Sequence, residues 1–315
     1  MKKTLCGLLC ALLLLTVLSA SAQGPPWRHP VASTRTLHIG GATIQVYFGL
    51  GSTDLPEDRI VEWVERAAQA VSVYYGRFPV AQARVLVEFV PGERGIGHGT
   101  TWGGVGGVQA FTRIQLGQHT TQQDLNDDWM MTHELVHTAF PSVSDEHHWI
   151  EEGLATYIEP VARVQAGFLP SEAIWSDMMR DMPKGNPEAF DRGLDRTHTW
   201  GRTYWGGALF CLQADVSIRR ETHNQKGLID ALRAIVAAGG TIDQDWPLSR
   251  ALAVGDQATG THVLTDLDRR MGDAPVPVDL AALWKELGIE SAPSGTRFDN
   301  HASDAAIREA ITRKN

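Results

Sequence analysis

The sequence predicts an α+β protein, in which a small mixed β-sheet and a histidine-bearing helix form a first lobe and a mostly α-helical lobe follows. Three observations predict it. Runs rich in β-branched residues cluster between Thr36 and Leu116. The pentapeptide His133-Glu134-Leu135-Val136-His137 lies in a stretch of helical character. Beyond residue 166, apolar residues recur three and four apart with no strand signature.

The chain has 315 residues, 43% hydrophobic and 21% charged, the balance of a globular protein with room for one large domain or two lobes. Lys2 and Lys3, the apolar run Leu5 to Leu18 and the small residues Ala20-Ser21-Ala22 have the three parts of a secretory signal peptide over residues 1–22. The apolar run is short for a spanning helix of roughly 20 residues, so cleavage with no stable membrane anchor afterwards is expected. Cleavage would leave Cys211 as the sole cysteine, which excludes an internal disulfide. An export signal without disulfides suits a bacterial periplasmic or extracellular protein. Loss of the two lysines makes the net charge two units more negative than −9, which argues against nucleic acid or an anionic membrane as partner.

Gln23 to Ser33 is Pro-rich and polar. Two short strands follow, Thr36 to Gly40 and Ala42 to Phe48, turning at Gly40-Gly41. After Asp54, the spacing of Ile60, Val61, Val64, Ala67, Ala68 and Val71 predicts a helix ended by Gly76 and Pro79. Arg84 to Val90 reads as a strand. The segment from Gly92 to Gly107 lacks a phosphate-binding pattern; its glycines suit bends or close backbone approach. Val108 to Leu116 is a further strand, suited either to pairing with an extended substrate as an edge or to a surface hairpin. His98 and His119 read as exposed loop residues.

Asp124 to Phe140 reads as one helix, with acids at its start and Pro141 at its stop. Residues four apart on a helix differ by about 40° in direction, so His133 and His137 project from one face and can share a metal ion. Glu134 stands beside the metal, where it could accept a proton from a zinc-held water. A third ligand must come from elsewhere. The three-histidine continuation would need Gly at 140 and His at 143, where Phe140 and Val143 stand. His147, His148, Glu151 and Glu152 are near, and adjacent helical residues such as Glu151 and Glu152 point about 100° apart, so only one of those two can reach the metal.

Trp149-Ile-Glu-Glu152-Gly153-Leu-Ala155-Thr-Tyr157 resembles the W-x-x-E-G-x-A-x-Y segment of the gluzincin metallopeptidases. The resemblance implies a thermolysin-like zincin lobe in which His133, His137 and Glu152 hold one Zn²⁺ per chain and Glu134 is the general base. Fourteen residues separate His137 from Glu152, a shorter connection than in the aminopeptidase branch. Thr156 and Glu159 are candidates to orient the ligands.

Leu169 to Met182 reads as a helix and Lys184 to Arg196 as a loop. The stretch from Tyr204 through Gly207 to Asp215-Val-Ser-Ile218-Arg219 resembles the corresponding gluzincin segment, most closely that of the glycyl-aminopeptidase-like family (M61). The resemblance implies that Tyr204 donates to the oxyanion. Cys211 reads as an inert core thiol. Leu228 to Ala238, Gly260 to Met271, Leu280 to Leu287 and Asp304 to Arg313 complete a helical lobe.

The lobes are expected at 23–165, carrying both ligand helices, and 166–315. The large N-terminal β-domain and the PDZ-like domain of the M61 family are expected to be absent, and the G-x-M-E-N element by which many aminopeptidases hold a free amine is replaced by Gly103-Gly-Val-Gly-Gly-Val-Gln109. Aminopeptidase specificity therefore does not transfer. The expected activity is hydrolysis of peptide bonds in a peptide or protein substrate. A zinc-binding pseudo-peptidase and a zinc amidohydrolase acting on a non-peptide amide are the alternatives.

Overall fold

The computed structural model describes residues 30–104, 110–292 and 295–314. The expected signal segment and the end of the glycine-rich segment, residues 105–109, lie outside the described residues. The first elements are strands β1 (Val31–Ile39) and β2 (Ala42–Gly49), an antiparallel hairpin. Its two-residue turn has both φ values positive, Gly40 at 56° and Gly41 at 81°. Glycine is needed there for conformation. At Gly40 it is needed for space too, because a Cβ would lie 2.3 Å from the Ser72 hydroxyl.

Helix α1 (Glu57–Tyr75) crosses over to β3 (Gln82–Val90), which lies parallel to β2. The helix buries Ile60, Val64, Ala67, Ala68 and Val71 and ends at Gly76 in the left-handed conformation. Two strands follow, β4 (Ile96–Trp102) and β5 (Ala110–Gly117). They complete a five-stranded mixed sheet in the order β1-β2-β3-β5-β4, with β5 parallel to β3 and β4 antiparallel to β5. The described part of the expected Val108 to Leu116 strand, from Ala110 on, therefore forms an inner strand. The edge beside it is β4, drawn from the glycine-rich segment, where Thr100-Thr101-Trp102 is strand-prone but diluted by Gly97 and Gly99.

The expected single helix from Asp124 to Phe140 is two: α2 (Gln122–Asp127) and α3 (Met130–Val136), followed by a 3₁₀ turn at His137–Ala139. Asp128 separates them, its carboxylate accepting from the Met130 and Met131 amides at 3.0 Å and from the Trp63 indole at 2.9 Å. A side chain that bonds the amides ahead of it starts a new helix there. Helix α4 (His148–Gln165) carries Glu152, and α5 (Ser171–Asp181) follows.

A π-helical turn at Gly201–Gly206 leads into α6 (Gly207–Glu221). Helices α7 (Leu228–Ala237), α8 (Leu248–Thr259), α9 (Val263–Met271) and α10 (Leu280–Leu287), strands β6 (Ile289–Ala292) and β7 (Gly295–Phe298) and helix α11 (Ala305–Ile311) complete the chain. The C-terminal half thus departs from the strand-free expectation. β6 and β7 form a separate antiparallel pair, too short and polar to announce itself by alternation, and α8 also escaped the periodicity.

One apolar core runs from β2 to α11. Its central crossing is α4 against α6. A Cβ on Gly153 would lie 2.3 Å from the Gly207 carbonyl carbon, and a Cβ on Gly207 would lie 2.1 Å from the Trp149 carbonyl oxygen. Beneath that crossing Tyr157 donates to Asp215 at 3.0 Å, and Asp215 pairs with Arg219 at 2.8 Å, all three buried.

Candidate metal centre

Helix α3 supplies His133, and the 3₁₀ turn that follows it supplies His137. The motif is amphipathic in an unusual sense: Leu135 and Val136 enter the core while His133 and Glu134, 4% and 6% exposed, are buried toward a cleft. Helix α4 brings Glu152 in from the opposite side. The Glu152 carboxylate oxygen Oε2 lies 3.1 Å from His133 Nε2 and 3.6 Å from His137 Nε2. One ligand atom from each of the three residues falls within 4.8 Å of the others. Zinc–nitrogen bonds of 2.0–2.1 Å at tetrahedral angles separate ligand atoms by about 3.3 Å, so a Zn²⁺ fits this donor set with little adjustment. Three ligands leave one position for solvent or substrate.

Glu151 faces away from this point. Its Oε1 accepts from the Val143 amide at 3.2 Å and its Oε2 lies 2.9 Å from His148 Nδ1. His148 in turn places Nε2 3.4 Å from Glu152 Oε1, so it bridges the two acids on the first turn of α4 and lies outside the three-atom cluster. His147 turns to Asp195, 2.8 Å from its Nδ1. Glu159 accepts from Arg163 at 2.6 Å and the Thr156 hydroxyl has no partner, so neither holds a histidine of the cluster.

Glu134 lies against the edge strand. Thr101 of β4 donates to its Oε2 at 2.8 Å, and the same hydroxyl lies 2.9 Å from that of Thr112 on β5. Gly99 is required for this approach: a Cβ there would sit 2.7 Å from Glu134 Cγ and Oε1. Gly99 and Thr101 escaped the sequence reading; the Thr-Thr-Trp triplet was the available signal.

Tyr204 sits in the π-helical turn, a local widening often found at functional sites. Its ring stacks on His133 with centroids 6.2 Å apart. Trp200 stacks on its other side at 6.0 Å.

The electrostatics follow from burial. Desolvation pushes the Glu134 carboxyl up to about 7, with neighbouring Glu152 adding to the rise against His133 and Thr101. Burial, joined by His133, pulls His137 down to about 4 and so favours the neutral, metal-ligating imidazole. For Glu152 burial acts upward but is outweighed by hydrogen bonds from His133 and His148 and by the charge of the two clustered histidines, which hold it below the usual carboxylate range. Burial and the charges of Glu152 and Glu134 push the Tyr204 phenol up to about 12, keeping it a hydrogen-bond donor at neutral pH.

The fold has solved counterparts. The chain is similar to an aminopeptidase N family protein from Idiomarina loihiensis, with a TM-score of 0.58 and 12% identity, covering 82% of this chain and 49% of that one. It is similar to an M1 zinc metallopeptidase from Deinococcus radiodurans, with a TM-score of 0.50 and 17% identity over 80% of this chain and 53% of that one. A third likeness is to Legionella pneumophila aminopeptidase A, crystallised with aspartic acid, with a TM-score of 0.50 and 13% identity over 77% of this chain and 28% of that one. The chain thus spans about half the length of the first two. At these identities the likeness is one of fold. No protein-family model matches the sequence, and no curated protein matches it.

Proposed function

We propose that the protein is a zinc-dependent metallopeptidase of the gluzincin kind, with a thermolysin-like arrangement of its catalytic residues. The observation that carries this reading is the convergence of His133, His137 and Glu152 from two helices onto one point, with Glu134 beside it under an edge strand. The zinc metallopeptidases among the solved counterparts support it through the shared fold. The segments Trp149 to Tyr157 and Tyr204 to Arg219 support a relation to the glycyl-aminopeptidase-like branch. The leader at residues 1–22 supports export to the periplasm or beyond.

His133, His137 and Glu152 would hold the ion, which supplies Lewis acidity that makes water a nucleophile at neutral pH and polarises a carbonyl. The chain's own residues do the rest. The free edge of β4 lies along the cleft and offers backbone groups to an extended peptide. Glu134, oriented by Thr101, takes a proton from the attacking water and delivers it to the departing amine. Tyr204, protonated and held by stacking between His133 and Trp200, donates to the developing oxyanion.

Glu134→Gln tests the reading, because the amide keeps the shape and loses the base. The variant should bind zinc stoichiometrically while hydrolysis of a mixed peptide library falls by about 10³-fold or more. A zinc-loaded variant with full activity would refute the proton-transfer role.

A further inference from the structure

Tyr204 lines both cavities that flank the metal cluster, of about 370 and 630 Å³. The turn that carries it, Gly201–Gly206, is π-helical, a conformation rare in folded chains and met mostly as single turns. A phenol serves a developing charge only from a fixed distance, so whatever holds the turn decides where the hydroxyl stands. The groups that hold it lie on the inner side of the turn.

Arg202 stands two residues before Tyr204, lines neither cavity and turns into the protein, 3% exposed. Its Nε lies 2.7 Å from Asp191 Oδ2, on a side chain that is 1% exposed. Its Nη1 donates to the carbonyl of Gly185, the last residue of a 3₁₀ turn at Met182–Gly185. That 3₁₀ turn packs backbone to backbone on the π-helical one. A Cβ on Gly185 would lie 2.3 Å from the Trp205 carbonyl oxygen, and a Cβ on Gly201 would lie 2.7 Å from that of Lys184. Lys184 also places its Nζ 5.6 Å from the ring centroids of both Trp200 and Trp205. The turn is thus clamped from behind by one guanidinium and one neighbouring turn.

The loop that delivers Asp191 is held in a costly shape. Phe190 has a φ of 70°, in the left-handed region that a bulky side chain rarely adopts, and its ring is left exposed. Asp191 Oδ1 accepts from the Gly193 amide at 2.8 Å, which fixes the carboxylate with Oδ2 toward Arg202. Such backbone strain persists only where the surroundings impose it, and it gathers at functional sites. Nor does stability account for the pair. Desolvation offsets the attraction of two buried charges, and apolar side chains of similar volume often fold as well or better. What a buried guanidinium and carboxylate supply is a fixed point.

We propose that Arg202, through its buried pair with Asp191, is a positioning residue: it fixes the π-helical turn and with it the place of the Tyr204 hydroxyl at the metal cluster. The inference rests on the peptidase reading above for the use made of that hydroxyl, and goes beyond it in naming the pair that sets its position.

The test uses the zinc-loaded full-length protein and a peptide chosen from the mixed library. Asp191→Asn combined with Arg202→Met removes both charges and leaves neither unpaired, while Arg202→Lys keeps the charge and loses the fork. Each is made with Tyr204 present and in the Tyr204→Phe background. The paired variant should lower kcat about tenfold and Arg202→Lys less, with KM and zinc affinity within about twofold. In the Tyr204→Phe background both should change kcat by less than about twofold, because the group they act through is gone. Equal losses with and without the phenol, or no loss in either variant, would overturn the inference. Amide exchange read by mass spectrometry adds a measurement that needs no turnover. Residues 201–206 should exchange about tenfold faster in the paired variant, with the segment of α4 around Glu152 unchanged. Unaltered exchange in the turn, or protection lost evenly along the chain, would overturn the inference whatever the activity. Unmodified zinc-loaded protein that cleaves no peptide would refute the peptidase reading, and faster exchange confined to the turn would still uphold the hold of Arg202 on it.

Discussion

Tyr204 shows what a residue owes to its surroundings. A phenol half-open to solvent would be an ordinary donor; here burial and two carboxylates push it up to about 12, so it keeps its proton throughout the neutral range. Tyr204→Phe removes the hydroxyl and retains the ring that stacks on His133. If the hydroxyl acts only as charge develops, kcat should fall about 10²-fold with KM and zinc affinity little changed, as steady-state kinetics and a metal titration would show. A change confined to KM would assign the hydroxyl to substrate binding. The residue was legible in the sequence through its neighbours, by resemblance. Its stacking between His133 and Trp200 was not, because the π-helical turn that aims it leaves no periodic mark.

At the level of elements, the site depends on how closely α4 and α6 approach. Gly153 and Gly207 meet backbone to backbone, and the crossing sets where α4 presents Glu152, one residue before Gly153. Gly153→Ala forces a methyl into space already filled by main chain, which cannot rotate away. The variant should lose about 3 kcal/mol of stability, measured as the denaturant midpoint, and bind zinc more weakly as Glu152 is displaced. Full stability and unchanged zinc affinity would show the helices free to separate. Gly153 and Gly207 were each visible in the sequence, one in the Glu-Gly pair and one after Tyr204, but their contact was not, since they lie over fifty residues apart. The edge strand was misplaced for a related reason. Gly97 and Gly99 erase the apolar alternation of β4, and Gly99 is glycine for the sake of Glu134.

For the molecule as a whole, an ion bound by His133, His137 and Glu152 would tie the end of α3 to α4 through one point and hold the folded form against the unfolded one. Zinc at a thousandfold excess over its dissociation constant should stabilise the fold by about 4 kcal/mol, raising Tm in a thermal melt, and a chelator should reverse the shift. Glu152→Ala should lose most of that zinc-dependent rise; retention of the full shift would mean that the ion binds elsewhere. A single core running from β2 to α11 makes the transition cooperative, so the zinc effect should appear in the whole melt rather than in a separate early phase.

The sequence by itself determined the parts whose causes are local. The β1–β2 turn, helix α1 with its glycine stop, and the pairing of His133 with His137 follow from backbone geometry and spacing within a few residues. The tertiary structure alone decided what depends on groups distant in sequence. It set Asp128 to divide one expected helix into two, with Trp63 on its other side. It put β4 at the sheet edge against Glu134, gave Glu151 to Val143 and His148, and opened a cavity on each side of the metal point. Backbone propensity is written residue by residue, whereas a cleft is the space left between elements, and its shape depends on where each of them stops.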